Sequence, residues 1–196
     1  MPKVVVAFHS GYGHTKLIAE HVVKGAASVP GVAASLVNIA ELPGPNADRS
    51  YPVQWNELHA ADAIIFGCPT YMGDVSWQMK KFMEDASGIW FTQAWKDKLA
   101  AGFANSGGLS GDKLHTLHTL SVFAAQQSMV WVTTGVMPSI YTGDGKNLNR
   151  LSSFSGLMTQ SGQGAPEAST DPADRLTAEA FGKRVAEAAV RWTKGR

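Results

Sequence analysis

The sequence predicts a doubly wound α/β domain, a five-stranded parallel sheet with helices on both faces. Three observations carry this. Strand-like runs recur at residues 4–8, 32–39, 63–67, 99–104 and 129–133, and stretches with helical spacing separate most of them. The first run, Val4-Val-Val-Ala-Phe8, is apolar at every position, as in a strand covered on both faces. Strands that alternate with helices form parallel sheets, and right-handed crossovers then place helices on either side.

Each element follows from its local pattern. Residues 15–27 place Leu17, Ile18, His21, Val22 and Gly25 on one helical stripe. After the second strand, the Pro- and Asn-rich residues 42–52 are a loop, followed by a short helix around 55–59. Helices are expected at 76–86 and at 112–127, the latter with Leu114, Leu117, Leu120 and Ala124 facing inward. A final helix spans 172–194, with Asp171 as its cap and Pro172 at its first position. The Gly/Ser-rich residues 135–170 are longer than an ordinary connection and are expected to cover a ligand or a subunit interface.

Composition narrows the function classes. A chain of 196 residues suits one domain, taken as residues 1–196. Seventeen basic and sixteen acidic residues give a net charge of +1, which argues against a nucleic-acid stripe and against acidic steering of a protein partner. The single cysteine, Cys68, excludes an internal disulfide and a cysteine-cluster metal site. With no signal-peptide pattern and no apolar run near bilayer length, the expectation is a cytoplasmic protein without membrane contact.

The most informative local feature is Ser10-Gly-Tyr-Gly-His-Thr15, where the first strand empties into a helix start. Unpaired N–H groups and the helix dipole make such a place an anion cradle. It is not a Walker A string, and Lys16 stands where a dinucleotide fingerprint needs its third glycine. Hydroxyls at both ends of Ser10-x-x-Gly13-x-Thr15 fit a phosphomonoester such as that of FMN better than a pyrophosphate. The same residues would serve equally as a simple helix cap.

In doubly wound sheets the ligand lies beyond the carboxyl ends of the strands. The third strand is followed by Gly67-Cys-Pro-Thr-Tyr-Met-Gly-Asp74 and the fourth by Asn105-Ser-Gly-Gly-Leu-Ser-Gly111. Small residues let the backbone approach a flat ligand, and Tyr71 and Met72 offer an apolar surface. Three such loops at one crevice favour a bound mononucleotide.

Taken together these strings resemble the flavodoxin-like FMN proteins, and among them the WrbA-type NAD(P)H:quinone oxidoreductases. The likeness is carried by Ser10-Gly-Tyr-Gly-His-Thr15, Ala63-Ile-Ile-Phe-Gly-Cys-Pro-Thr-Tyr-Met-Gly-Asp74, Gln78-Met-Lys-Lys-Phe-Met83, Gly88-Ile-Trp90, Phe103-Ala-Asn-Ser-Gly-Gly108 and Gln126-Gln-Ser-Met-Val130. It weakens after Pro138. The resemblance implies strand order 2-1-3-4-5 in three layers, and FMN as cofactor with its phosphate on Ser10, Gly11, Tyr12, Gly13, His14 and Thr15. It implies contacts to the ring and ribityl chain from Pro69, Thr70, Tyr71, Met72 and Gly73, and from Asn105, Ser106, Gly107, Gly108, Leu109 and Ser110. Substrate space would be bounded by Tyr12, Trp90 and Gln127. NAD(P)H would be the electron donor, a quinone or similar small molecule the acceptor, and the assembly a homodimer or homotetramer.

Three positions depart from that family's pattern. Tyr71 stands where it typically has arginine, Gln127 where it has a histidine over the flavin, and Leu109 where it usually has glycine. Gln127 carries no positive charge and shuttles no proton. Two alternatives accompany the oxidoreductase reading: a flavodoxin-type electron carrier, and an interaction protein of the same fold that binds FMN weakly. His115 and His118 read as a solvated helix face, and Cys68 as a small buried residue.

Overall fold

The computed structural model describes residues 1–195. Its elements run β1 (Lys3–Phe8), α1 (His14–Ala27), β2 (Ala33–Asn38), two short 3-10 turns, α2 (Asn56–Ala60), β3 (Ala63–Tyr71), β4 (Asp74–Val75), α3 (Trp77–Asp85), α4 (Ser87–Thr92), β5 (Leu99–Ser106), α5 (Lys113–Gln126), β6 (Val130–Trp131), α6 (Ser139–Thr142), β7 (Leu157–Gln160), α7 (Pro166–Ser169) and α8 (Pro172–Thr193). The parallel strands lie in the order β2-β1-β3-β5-β6, the expected 2-1-3-4-5 topology once the small β4 is numbered.

Two departures from the expected elements shape the site. β3 continues through Cys68, Pro69 and Thr70 to Tyr71, then turns into a hairpin with β4. The fifth position of the sheet is divided: β6 pairs with the start of β5, at Leu99 and Ala100, whereas β7 pairs with its end, from Phe103 to Ser106. Residues 135–170, expected as loop, thus hold a strand and two short helices.

Alternation along each strand builds two cores. Val4, Val6, Phe8, Ile65 and Phe103 face α1 and α8, where Ile18, Val22, Phe181 and Val185 meet them. Val5, Ala7, Ile64 and Phe66 face the other way, onto Trp55, Phe82, Trp95, Leu120 and Phe123. Within α5, Leu117, Leu120 and Ala124 point inward as expected, but Leu114 is exposed. Trp95 belongs to the core, whereas Trp77, Trp90 and Phe91 are exposed. Asp171 caps α8 as expected, accepting from Ala173 N at 2.8 Å.

The tightest joint is the crossing of α1 and α8. A Cβ on Gly182 would overlap the Val22 carbonyl, and one on Gly25 would overlap the Glu179 carbonyl. Glu179 staples the crossing from the side, to His21 and Lys24 at 2.8 Å each. Backbone cannot yield as a flexible side chain can, so Gly182→Ala is expected to cost about 2 kcal/mol or more. Thermal unfolding would then fall by about 4–8 °C.

Candidate functional site

β1, β3 and β5 end side by side, and their loops enclose a cavity of about 660 Å³, within the range of small-molecule sites. From the expected set it is lined by Ser10, Gly11, Tyr12, His14, Thr15, Pro69, Thr70, Tyr71, Asn105, Ser106 and Gly107. Residues 161–164, from the segment after β7, complete the wall.

The loop between β1 and α1 is built to leave donors open. Gly13 enters the helix at φ 91°, a left-handed conformation suited to glycine. Its N–H donates to Ser10 Oγ at 3.0 Å, which holds the loop in a tight turn. The first helical bond closes from Leu17 N to Gly13 O at 3.0 Å. The N–H groups of His14, Thr15 and Lys16 come before it and have no helical acceptor. The Thr15 side chain, buried beside them, adds a hydroxyl. This donor set fits the phosphate of FMN: amides at a helix start, two hydroxyls, and no carboxylate lining the cavity.

The His14 side chain also makes a contact across the cavity. Its Nε2 lies 3.0 Å from Gly164 O and 3.1 Å from the Ser169 hydroxyl. A carbonyl only accepts, so the ring carries its proton on Nε2 and ties the loop to the far wall. Tyr71 reaches across the cavity floor, its hydroxyl within 2.5 Å of where a Cβ on Gly11 would sit. Burial raises the Tyr71 phenol above its ordinary pKa, with Tyr12 and Cys68 adding to the effect.

The 105–111 loop is held from behind. Asn105 Oδ1 accepts from Thr159 at 2.8 Å and Ser161 at 3.1 Å, tying β5 to the segment around β7. Gln160 Nε2 donates to Gly107 O at 2.9 Å. Gln160 is itself fixed by Arg150 and by Asp174, whose Oδ2 accepts from Gln160 N at 2.8 Å. Arg150 grips Asp174 with two bonds of 2.8 and 2.9 Å, and Asp174 is 2 % exposed. A second support is Lys113, fully buried, whose Nζ donates to Ser106 Oγ, Gly108 O and Leu109 O at 2.7, 2.8 and 3.0 Å. Neither Lys113 nor the Arg150–Asp174 pair was among the residues singled out from sequence.

Several expected contacts fall elsewhere. Met72 and Gly73 form the tip of the β3–β4 hairpin, with Met72 fully exposed at φ 48°. Gly108 gives its carbonyl to Lys113, while Leu109 and Ser110 line a second cavity of about 1050 Å³ with Arg150 and Leu151. Tyr12 stands exposed at the mouth of the first cavity.

Trp90 and Gln127 line a third cavity, of about 530 Å³, that shares no residue with the phosphate loop. The reason is geometric. α5 starts at the site and runs 14 residues back along the sheet, about 21 Å, and so delivers Gln127 to the opposite end. There Gln127 Nε2 donates to Ala86 O at 3.2 Å, and its buried Oε1 has no partner. Within one chain, then, neither residue borders the candidate flavin space.

Residues 4–142 match the family described as NADPH-dependent FMN reductase. The chain belongs to the NADPH-dependent FMN reductase family. It is 37% identical over 188 residues to flavodoxin FldP of Pseudomonas aeruginosa (strain UCBPP-PA14), covering 95% of this chain and 96% of that protein. The crystal structure of a flavodoxin, WrbA-like protein from Agrobacterium tumefaciens is 37% identical and superposes with a TM-score of 0.72, over 97% of this chain and 99% of that one. FerB, a flavoenzyme NAD(P)H:(acceptor) oxidoreductase from Paracoccus denitrificans, shares the fold at 19% identity and a TM-score of 0.60, over 100% of this chain and 98% of that one. The span matched to the FMN reductase family contains β1, β3, β5 and Lys113 but ends before β7, Arg150 and Asp174.

Other reactive groups are quiet. Burial pushes the Cys68 thiol up to about 12, which leaves it protonated and inert as a nucleophile. His9 is buried against Ser76, 2.9 Å from its hydroxyl, and burial lowers its pKa. The Ser106 hydroxyl bonds to Gly108 O and Lys113, not to a histidine. Among the described residues no group of three His, Cys, Asp or Glu side chains could hold a metal ion, and no helix is long and apolar enough to cross a membrane.

Proposed function

We propose that this protein binds FMN in the cavity at the ends of β1, β3 and β5 and passes two electrons from NAD(P)H to a quinone or a similar small acceptor, in ping-pong order. The observation that carries the reading is the start of α1, where open amides and the Ser10 and Thr15 hydroxyls meet at one end of the cavity. FMN, when bound, supplies the hydride acceptance and the onward electron transfer. The chain's residues do the rest. Ser10, Thr15 and the amides of residues 14–16 hold the phosphate. Thr70, Asn105, Ser106 and Gly107 set the polar edge of the ring slot, and Tyr71 and Tyr12 form its apolar border.

No side chain in this cavity is placed as an acid or base. His14, the histidine that lines it, has its Nε2 proton committed to Gly164. The active form in this reading is a homodimer or homotetramer, in which a neighbouring copy brings the exposed Trp90 toward the mouth at Tyr12, while Gln127 stays buried in its own chain.

A second reading, a flavodoxin-type carrier for a protein partner, draws support from the 37%-identical relative named as a flavodoxin. The net charge of +1 counts against it, since carriers use charge for docking. One experiment separates them. The protein is loaded with FMN, freed of oxygen, and given NADH and then NADPH while the visible flavin band is followed. Rapid bleaching that benzoquinone reverses is the expected result. A bound flavin that stays yellow would favour the carrier, and failure to bind FMN would remove both readings.

A further inference from the structure

The described molecule holds one buried cation that the proposed function does not use. Lys113 is fully buried at the start of α5. A lysine ammonium has three donors and no acceptor, and here all three meet oxygens of the 106–109 loop. No carboxylate forms an ion pair with it among the described residues. The charged groups that face it are Asp174 of α8, which favours its charge, and Arg150, which opposes it. Asp174 is already gripped by Arg150 through two hydrogen bonds. A buried charge without a counter-charge is costly, and removing it from water is what makes it so.

One feature connects this charge to the cavity, and a second shapes the loop beside it. Ser106 lines the cavity, so the Lys113 Nζ stands one hydroxyl behind its wall. In a trans peptide the C=O of one residue and the N–H of the next point in opposite directions. With the carbonyls of Gly108 and Leu109 turned onto Lys113, the N–H groups of Leu109 and Ser110 are turned outward.

We propose that Lys113 is a positioning residue of the flavin site, whose ammonium shapes the 106–109 loop and balances the negative charge that a bound flavin gains on reduction. The proposal rests on the FMN reading above. A hydride brings two electrons and one proton, so the ring that receives it gains one net negative charge, while the nicotinamide that gave it leaves oxidised. That charge arrives near a cation that makes hydrogen bonds but no ion pair among the described residues. Burial, aided by Arg150 and partly offset by Asp174, pushes Lys113 down to about 8, so in the oxidised protein its proton is loosely held. An anion within reach tightens that hold.

The test compares wild type, Lys113→Met and Lys113→Gln. FMN affinity is read from quenching of its fluorescence between pH 6.5 and 9.5. The midpoint potential of the bound flavin is read by equilibration with dithionite and a reference dye. Lys113→Met is expected to weaken oxidised FMN about fivefold and reduced FMN about fiftyfold, as loss of a charge-assisted contact would. The tenfold change in ratio lowers the two-electron potential by about 30 mV. Lys113→Gln, which keeps donors but no charge, is expected to recover oxidised affinity and not the potential.

In wild type the potential should fall more steeply with pH above about 8, by one extra proton per electron pair, and this steepening should vanish in both variants. A variant with weakened affinity but a wild-type potential would make Lys113 a structural prop and overturn the proposal. So would unchanged behaviour in both. If neither variant folds by circular dichroism, the pH slope of the wild-type potential decides alone: an added proton supports the proposal and its absence overturns it. Wild-type protein that takes up no FMN would instead overturn the function reading beneath it.

Discussion

Arg150→Ala is expected to cost about 3–5 kcal/mol of folding stability, the range for breaking one side of a buried ion pair. The cause lies in what remains. Asp174 is 2 % exposed and would lose its two Arg150 hydrogen bonds, keeping that from Gln160 N for a carboxylate with two oxygens. Arg150 also bridges to Asp171 at 3.3 Å and donates to Gln160 at 3.2 Å, so its loss frees one end of the chain of contacts that reaches Gly107. Urea unfolding followed by circular dichroism would measure the loss, and FMN affinity should fall with it.

The pH dependence of that variant has a definite sign. Burial already raises Asp174 above the ordinary carboxylate value, against the opposing pull of the Arg150 hydrogen bond. Without Arg150 the folded-state pKa rises further, and folding takes up a proton between the ordinary value and the raised one. Stability of the variant therefore grows as pH falls through that window, and the gap from wild type narrows. A gap that widens on acidification would contradict the account. Replacing both partners with apolar residues of similar volume, Arg150→Met with Asp174→Leu, should recover most of the loss.

How much of this was legible in the sequence depends on how each contact is made. The five strands and the turn after the first could be read because each is written locally, in apolar runs, a glycine where the chain turns left-handed and hydroxyls five residues apart, whereas the strand order came from resemblance. β7 could not, because Leu157-Met-Thr-Gln160 buries its inward positions half with leucine and half with a threonine satisfied by Asn105. A polar residue that is buried because a distant side chain bonds to it looks like loop in one dimension.

Lys113 and Arg150 were missed for a related reason. Lysine and arginine are almost never fully buried unless paired, and their partners here are carbonyls next to the site and an aspartate 24 residues away. Asp171 had been read as a cap and proved to be one, while Asp174, one turn on, gave no signal of its own. Trp90 and Gln127 came from resemblance alone. Resemblance carries residue identity but not the distance along α5, which is why the single chain holds them away from the flavin space.

Ser10→Ala combined with Thr15→Ala is expected to weaken FMN binding by at least about a hundredfold. Each hydroxyl would donate to a charged phosphate, and a hydrogen bond to a charged group contributes about 1.5–3 kcal/mol. Two of them give about 3–6 kcal/mol, or two to four powers of ten. The lower end is expected, because the amides of His14, Thr15 and Lys16 remain and water fills part of the gap. The control is riboflavin, which has the same ring and no phosphate. Its weak binding should be unchanged by the two substitutions, whereas a general loosening of the cavity would weaken both ligands alike. Loss confined to FMN ties the hydroxyls to the phosphate, and equal loss of both would instead assign them to the packing between α1 and the 161–164 wall.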